Sequence, residues 1–454
     1  MDPQEQKYIQ MTQPPVEKLI SKLAIPCIIS MLVTSFYNMA DTFFVGMLKD
    51  NAATGAVGVV FSMMAIIQAV GFFFGQGSGN YISRMLGAKR YEEASCMAAT
   101  GFFSALSVGG LLCILGLLFL EPLAYLLGST QDILPHTKAY LSVILLGAPW
   151  MTASMVLNNQ LRFQGGATYA MIGTTCGAVL NIILDPIFII VLDLGVAGAG
   201  WATIISQFVS FCLLLLGCSR GSNLRIRLRK IRIRWFYYKM IFKGGLPSLA
   251  RQSLASLATI CLNHSLRNIG DGATAAIAAM GVVQRITMFG ASAMLGFGQG
   301  FQPVCGFNYG AKLYHRVRKG FWFCVKVATA VLAVTALAGF IFAEDLIALF
   351  RDDPDVIVWG ARALRFQCIT FPLQAWVVSS SMLQQSTGRT VPATFLAVAR
   401  QGLFFIPIVL ILPRLLGVLG VQMAQSAADL LTFLCAVPLQ LWVLKTMDKS
   451  NNGQ

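Results

Sequence analysis

The sequence predicts an all-α membrane protein with twelve transmembrane helices in two six-helix lobes. Three observations predict this fold: an apolar composition, a series of long apolar segments, and an internal duplication. Of the 454 residues, 56% are hydrophobic and only 12% are charged, and the mean hydropathy is +0.69. Soluble globular proteins have roughly a quarter of their residues charged. The composition therefore excludes a nucleic-acid-binding protein, a secreted disulfide scaffold and a cytosolic enzyme.

Twelve apolar segments are long enough to cross a bilayer as helices, which takes about 20 residues each. The polar segments between them are too short to hold a soluble domain, and open sheet edges are not tolerated in hydrocarbon, so we predict helices only. The predicted spans are residues 20–46, 54–83, 94–120, 138–160, 167–191, 197–218, 242–263, 273–306, 320–343, 357–383, 392–412 and 417–444.

The two halves of the chain repeat each other with an offset of about 223 residues. FGQGSGNYISRMLGAK at 74–89 aligns without a gap with FGQGFQPVCGFNYGAK at 297–312. Six spans per half give both halves the same orientation, so we predict a pseudo-two-fold axis along the membrane normal and a cavity between the lobes. The predicted domains are an N-terminal lobe at 1–219, a basic linker at 220–242 and a C-terminal lobe at 243–454.

Basic residues are concentrated in alternate loops. Eighteen Lys and Arg lie in 84–90, 161–168, 220–243, 312–319 and at position 389, against five on the opposite side. Because basic loops face the cytoplasm, the sequence predicts a multi-pass protein of the cell membrane with both termini inside. The basic run RIRLRKIRIR in the linker is then expected to touch anionic lipid headgroups rather than nucleic acid.

Polar residues inside the predicted spans are costly in lipid and so indicate function. Span five carries Asn181 and Asp185 four residues apart on one helix face. At ~1.5 Å rise per residue, Asp41, Asp185 and Thr203 all lie ~8–10 Å below the outer ends of their spans, with Tyr140 above them. Two adjacent carboxylates in low dielectric would share an exchangeable proton, and the same oxygen-only set would suit sodium. Alternatively, each Asp satisfies a neighbouring helix or faces a water-filled vestibule.

Other polar residues predict a substrate cavity and a hinge. Tyr37 and Asn38 lie on the helical stripe of Asp41, and Asn158 in span four is expected well below the ion layer. With Met and apolar side chains, these residues would line a cavity for varied amphipathic molecules. Pro26 lacks a backbone N–H and should kink span one, so we predict a hinge there.

The C-terminal half has no acidic counterpart of the ion layer. Leu262 and Ile408 stand where the N-terminal half has its two carboxylates. Arginines occupy its spans instead, either paired across helices with a partner such as Asp429, snorkelling to an interface, or facing a cavity. These arginines are Arg251, Arg285 and Arg400.

No pattern in the sequence indicates a cofactor or an enzyme. The three histidines have no ligand spacing, so no metal site is expected apart from sodium at the ion layer. There is no Walker A motif, no Cys-x-x-Cys motif and no nucleophile–base pair at membrane depth. We therefore expect no cofactor other than a coupling proton or sodium ion.

Several motifs resemble those of the multidrug and toxic compound extrusion (MATE) transporters. They are the paired GNYISRMLGAK and FNYGAK segments, LNIILDPI at 180–187 and DLGVAGAGWAT at 193–203. The resemblance extends from about residue 15 to 445 and is closest to the DinF-like branch and to MepA-like exporters. It implies that an arginine in span eight, here Arg285, is typical of the DinF-like branch. It also implies that a cation-coupling cluster lies in the N-terminal lobe. The residues of that cluster are Asp41, Asn181, Asp185, Thr203 and Tyr140.

The resemblance implies a secondary antiporter that exports amphipathic, often cationic, organic compounds in exchange for protons or sodium by alternating access. The expected partners are these small molecules and membrane lipids, and we expect a monomer. The main alternative is a flippase for lipid-linked oligosaccharides or other anionic substrates, which could use the three arginines. An intramembrane enzyme lacks its reactive groups, and a channel suits a two-lobed chain less well.

Overall fold

The structure, a computed structural model, describes residues 3–47, 51–221, 223–267, 273–350 and 353–452. Within these ranges the chain is helical and forms no strand, as predicted. The α-helices are α1 (Pro3–Thr12), α2 (Val16–Gly46), α3 (Asn51–Gly87), α4 (Tyr91–Leu118), α5 (Leu120–Leu126), α6 (Leu134–Phe163), α7 (Ala167–Pro186), α8 (Gly195–Ser219), α9 (Trp235–Arg267), α10 (Ala273–Gly310), α11 (Tyr314–Ile341), α12 (Ala343–Phe350), α13 (Pro354–Thr370), α14 (Gln374–Ser386), α15 (Thr390–Val398), α16 (Ile406–Leu416) and α17 (Val418–Asn452).

Short non-α segments join some of these helices. A π-helical segment, Ile187–Val191, follows α7, and a second one, Ala399–Phe405, joins α15 to α16. A 3₁₀ turn at Phe371–Leu373 separates α13 from α14, and another covers Leu228–Lys230 in the predicted linker. Both π segments fall in corresponding spans of the two halves, the fifth and the eleventh.

Ten helical segments of the described ranges are long and apolar enough to cross a membrane. The other two predicted spans, 242–263 and 357–383, are also helical. The first lies in α9, which is made more polar by Arg251 and Gln252. The second is divided by the 3₁₀ turn into two shorter helices. Twelve helical spans thus follow the predicted order, and α1, α5 and α12 are additional short helices.

The outer surfaces of these helices are strongly apolar. Leu118 is 72% exposed, Val334 71% and Leu415 73%, and many other large apolar side chains are also exposed. Such continuous apolar exposure is not found on soluble monomers, where large patches mark contact with a membrane or a protein. The chain buries small and apolar residues between its helices and presents apolar side chains to lipid.

The chain divides into two compact units. The first comprises 1–14 and 25–245, and the second comprises 15–24 and 246–454. The predicted linker therefore groups with the first unit, and α2 is shared between the two. The change from one unit to the other occurs between Ala24 and Ile25, directly before Pro26.

Contacts on either side of this point explain the division of α2. In the second unit, Glu17 forms an ion pair with Lys319 at 2.9 Å. An added Cβ on Gly300 would lie only 2.4 Å from the Cα of Ala24, so the two backbones are in close contact. In the first unit, the buried Cys27 is hydrogen-bonded to Arg162 on α6. The two ends of one helix are thus anchored to different units.

The internal repeat is visible in the ends of α3 and α10. Lys89 and Lys312, which are 223 residues apart, both adopt the left-handed backbone conformation, with φ of 59° and 61°. In each case the N–H of the next residue donates to the carbonyl five residues before it, over 2.8 Å. The two GAK motifs therefore end their helices in the same way.

Candidate functional site

Two carboxylates of the first unit lie together inside the helix bundle. Asp41 comes from α2 and Asp185 from the last turn of α7, and the two interact electrostatically. Asp185 is completely buried. Asp41 is half-buried, but its Oδ1 atom is inaccessible and accepts no hydrogen bond from the part of the chain that the structure describes. A buried carboxylate oxygen without a donor is costly, because no hydrogen bond replaces the lost contact with water.

Asn181 and Thr203 connect α7 to α8 beside these carboxylates. The Asn181 amide donates to Asp185 Oδ1 at 3.4 Å and lies 3.5 Å from Thr203 Oγ1. With the amide rotated, its nitrogen donates to Asp185 Oδ2 at 3.1 Å and its oxygen accepts from the Thr203 N–H at 3.3 Å. The rotated amide has the shorter bonds and satisfies both of its ends. All three residues are at most 1% exposed.

Two tyrosines complete the cluster. The hydroxyl of Tyr37 is hydrogen-bonded to Thr203, and the ring lies within electrostatic range of both carboxylates. Tyr140 on α6 is fully buried and also interacts with Asp41 and Asp185. Among the described residues, its hydroxyl donates only to the weak acceptor Met64 Sδ, at 3.9 Å. The structure therefore brings together all five residues of the predicted cation cluster and adds Tyr37, which the sequence placed in the substrate cavity.

The local backbone explains how α7 presents its polar face. Asn181 and Asp185 are four residues apart and so share one face of the helix. Pro186 cannot donate a backbone hydrogen bond, and the chain continues as the π-helical segment Ile187–Val191. Short π-helical segments of this kind are frequent at functional sites, because they alter the direction of side chains within a helix. The carboxylate at the end of α7 thus precedes a local change in helix geometry.

Two other predicted cavity residues, Asn158 and Arg285, have different surroundings. The Asn158 amide donates to Thr174 Oγ1 at 2.7 Å and to the Ala170 carbonyl at 3.3 Å, so it connects α6 to α7. Arg285 is exposed on α10. The side chain of Asn38 lies outside the described residues.

Comparisons with known proteins identify the family. The MatE family model matches residues 26–187 and 247–411, one segment in each half of the chain. The chain belongs to the MatE family. It is therefore a transporter and not an enzyme. This match confirms the family predicted from the repeated GAK and LNIILDPI motifs.

Known relatives match this MatE transporter over nearly its whole length. The multidrug export protein MepA of Staphylococcus aureus is 27% identical over 436 residues, which are 96% of this chain and 95% of MepA. MepA of Staphylococcus saprophyticus is 28% identical over 439 residues, or 96% of each chain. A multidrug resistance MATE family transporter of the MOP superfamily, solved in an outward-facing conformation, is 26% identical with a TM-score of 0.91 and covers 97% of this chain and 98% of its own.

The second unit of this MatE transporter carries a different polar cluster. Arg400 lies in the π-helical segment Ala399–Phe405, and its Nε donates to Asp429 Oδ1 at 2.8 Å. This pair was one of the alternatives that the sequence left open. Asp429 also accepts from Gln425 at Oδ1 and from Gln374 at Oδ2, each over 3.0 Å.

Sequence reasoning did not single out these two glutamines. A neutral amide in an apolar span is a weak signal, because glutamine is common at helix surfaces and carries no charge. The informative pattern is their number: five glutamines lie near Arg400 around one cavity. They are Gln284, Gln367, Gln374, Gln401 and Gln425.

Proposed function

We propose that this MatE transporter is a secondary multidrug antiporter, which exports amphipathic, often cationic, organic compounds in exchange for protons or sodium. The observation that carries the proposal is the pairing of the half-buried Asp41 with the buried Asp185, in which the inaccessible Oδ1 of Asp41 has no hydrogen-bond donor among the described residues. The staphylococcal relatives are named multidrug export proteins, which supports the substrate class.

Coupling would follow from the repulsion between the two carboxylates. Two like charges in a site of low dielectric repel each other, and one bound cation removes that repulsion. A proton would sit on one carboxylate and supply the missing donor. A sodium ion would be held by oxygens of both carboxylates with those of Asn181 and Thr203, the hard ligands that such a cation prefers. Either ion would act as cargo of the antiport rather than as a resident cofactor.

The shared helix α2 offers a way to connect ion binding with motion. Asp41 lies fifteen residues after Pro26, on the part of α2 that belongs to the first unit. Bending at Pro26 would move the carboxylate relative to Asp185 without breaking the anchor at Glu17. If the two arrangements of α2 differ in their affinity for the cation, that difference supplies the free energy that couples ion entry to export.

The charge distribution supports an orientation with both termini in the cytoplasm of the cell. The loops that carry eighteen of the basic residues would then face the cytoplasm, where anionic lipids attract them. The proposed partners are the exported compounds and membrane lipids, with no nucleic acid and no cofactor, and the proposed state is a monomer. Tyr37, Asn158 and Arg285 remain the proposed cavity residues, together with Asn38.

The experiment that tests the function is transport by the purified chain in proteoliposomes. A fluorescent organic cation is loaded, and a proton gradient or a sodium gradient is imposed separately. We expect efflux driven by one of the two gradients and competition from unrelated amphipathic cations. Equal efflux with no gradient would contradict antiport. Recognition of a single anionic compound would favour the flippase alternative.

A further inference from the structure

The second unit contains a partly open cavity whose lining includes none of the residues of the cation cluster. Its volume is about 200 Å³. It is bounded by α9, α10, α13, α14, α17 and the π-helical segment Ala399–Phe405. Polar groups on its wall include the amides of Gln284, Gln367 and Gln401 and the guanidinium of Arg400, while Leu262 and other apolar side chains complete it. No carboxylate lines this cavity in the described part of the chain. The glutamine amides therefore offer both donors and acceptors, and the guanidinium of Arg400 adds donors and a positive charge.

Asp429 and Arg400 differ in how many of their hydrogen-bonding groups remain without a partner in the described part of the chain. Both oxygens of Asp429 accept hydrogen bonds, from Arg400 and Gln425 at Oδ1 and from Gln374 at Oδ2. The Asp429 side chain is only 3% exposed, and three hydrogen bonds occupy most of its roughly four acceptor positions. It is not available to a ligand in the cavity.

Arg400, in contrast, keeps most of its donors. A guanidinium has five N–H groups in a planar fork. In the described part of the chain only the Nε–H is used, by Asp429. The side chain is 28% exposed and forms part of the cavity wall. The unused donors are the pair of Nη groups, which are suited to bidentate binding of a carboxylate.

A second arginine increases the positive potential. Arg251 on α9 interacts electrostatically with Arg400. Its Nη2 lies 3.5 Å from the hydroxyl of Ser248, a neutral partner. Two guanidinium groups beside a single carboxylate leave an excess of one positive charge. In a helix bundle, where screening by water is weak, this excess attracts an anion.

We propose that this cavity of the second unit binds the carboxylate group of organic acids, with Arg400 as the residue that holds it. The volume is below the roughly 300–1,000 Å³ of sites that enclose drug-sized ligands. The cavity therefore accepts the acidic end of a molecule, and its apolar wall favours a carboxylate on a hydrocarbon ring over an inorganic anion. That such acids are export substrates rests on the proposed function; the binding itself does not.

The binding test uses the purified full-length protein in detergent micelles, without any gradient. Fluorine NMR titrations compare 4-fluorobenzoate with its neutral isostere 4-fluorobenzamide. We expect saturable binding of the benzoate and much weaker binding of the benzamide. Equal binding of both probes, or no saturable benzoate signal, would overturn the proposal. Displacement of the benzoate by equimolar inorganic phosphate would also overturn it, because the site would then be one for inorganic anions.

Two substitutions distinguish a binding role of Arg400 from a purely structural one. Both break the Arg400–Asp429 ion pair, but only one of them removes the guanidinium. Arg400→Gln removes the binding group and should weaken benzoate binding at least ~tenfold, which corresponds to the loss of one charged hydrogen-bonded pair. Asp429→Asn removes the competing negative charge and should leave binding equal or stronger. If both variants weaken binding to the same extent, the pair is only structural and the proposal fails.

A cavity-filling variant tests the location independently of the ion pair. Ala255 lines the cavity from α9, so Ala255→Phe should reduce its volume and weaken benzoate binding. Ser253→Phe is the matched control, because Ser253 is exposed on the same helix and lies outside the cavity wall. If Ala255→Phe and Ser253→Phe changed benzoate binding equally, benzoate would not bind in this cavity. If benzoate binds but gradient-driven efflux is absent, the proposed antiport is wrong and the carboxylate site stands. If efflux is present but benzoate does not bind, the carboxylate site is wrong and the proposed antiport stands.

Discussion

The fifth and eleventh spans show what a duplicated membrane protein keeps and what it changes. Both spans contain a π-helical segment, Ile187–Val191 in the first unit and Ala399–Phe405 in the second. In the first unit the carboxylate of Asp185 stands two residues before this segment and interacts with a second carboxylate, that of Asp41. In the second unit an arginine stands within it. The backbone distortion is common to both halves, while the charge that it presents has opposite sign.

The partners of these charges differ as well. Asp185 interacts with another acid, and the oxygen left without a donor belongs to Asp41. Arg400 is paired with Asp429, whose two oxygens are both occupied, and the unused groups are donors. On our two proposals, the duplicated π-helical span provides a cation site in the first unit and an anion site in the second. Mutations in either unit should therefore affect ligands of opposite charge.

The largest effect is expected from neutralising the acids of the first unit. Asp41→Asn and Asp185→Asn should each abolish gradient-driven efflux in proteoliposomes, because neither amide can exchange a cation. Thermal stability should be nearly unchanged, since neutralisation also removes the desolvation penalty of a buried charge.

Asp193 supplies a matched control for this loss. It is an exposed acid between α7 and α8 with φ of 51°, a conformation that asparagine tolerates. Asp193→Asn should transport like the unmodified protein. If Asp41→Asn or Asp185→Asn retained gradient-driven efflux, the cation would have to bind elsewhere. The proposed difference in ligand charge between the two units would then be wrong.

A large but partial loss is expected at the helix that both units share. Pro26→Ala restores a backbone donor and stiffens α2 where the chain passes from one unit to the other. We expect efflux to fall several-fold, roughly the effect of about 1 kcal/mol on the conformational equilibrium, while a fluorescent substrate still binds. Spin-label distances across the outer ends of α2 and α9 at low and high pH, with and without sodium, measure the motion. If the distances changed neither with pH nor with sodium in a protein that still transports, bending of α2 would be excluded as the coupling step.

Much of the fold and of the cation cluster could be predicted because the relevant signals are local. Long apolar segments gave the helices, and an acid in an apolar span stands out against its neighbours. Asn181 and Asp185 are on one face simply because they are four residues apart. The rise per residue placed Asp41 and Asp185 at equal depth, which made a contact between them possible.

The features that could not be predicted depend on how the helices rotate and pack. The bond from Gln374 to Asp429 joins residues 55 positions apart and depends on the rotation of α14 and α17. The division of α2 between the units depends on the close contact of Ala24 with Gly300, which hydrophobicity does not encode. The π-helical segments are likewise set by packing, although Pro186 gave a partial signal for the first.

A smaller effect is expected from the hydroxyl group of Thr203, which is a partner of the Tyr37 hydroxyl. Thr203→Val keeps the shape of the side chain and the backbone N–H that bonds to Asn181, but it removes the hydroxyl oxygen and leaves the Tyr37 hydroxyl without that partner. The apparent affinity for the coupling cation should fall about tenfold, with the maximal rate retained, as for the loss of one hydrogen bond to a charged site. Thr203→Ser retains the oxygen and should restore the affinity. Equal affinities of the Val and Ser variants would remove Thr203 from the cation site.

The smallest effect concerns α1, an N-terminal helix that docks on the first unit. Lys7 is buried there, donates to Asn223 Oδ1 at 2.5 Å and lies near Cys218. Burial lowers the pKa of the Lys7 ammonium from 10.5 to about 7. Docked α1 therefore binds fewer protons than undocked α1 between these two values, and docking should strengthen as the pH rises from 7 towards 10.

Amide hydrogen exchange of α1, corrected for the intrinsic pH dependence, measures this docking. Protection relative to other amides should increase between pH 7 and 9, and Lys7→Met should remove the increase, because methionine has a similar length and no titrating group. Lys89 provides the control: it pairs with Glu5 of the same helix at 2.8 Å but is exposed. Its partner raises the pKa of the Lys89 ammonium, so Lys89→Met should weaken docking without changing its pH dependence below pH 9. A pH-dependent protection that persisted in Lys7→Met would assign the titration to another group.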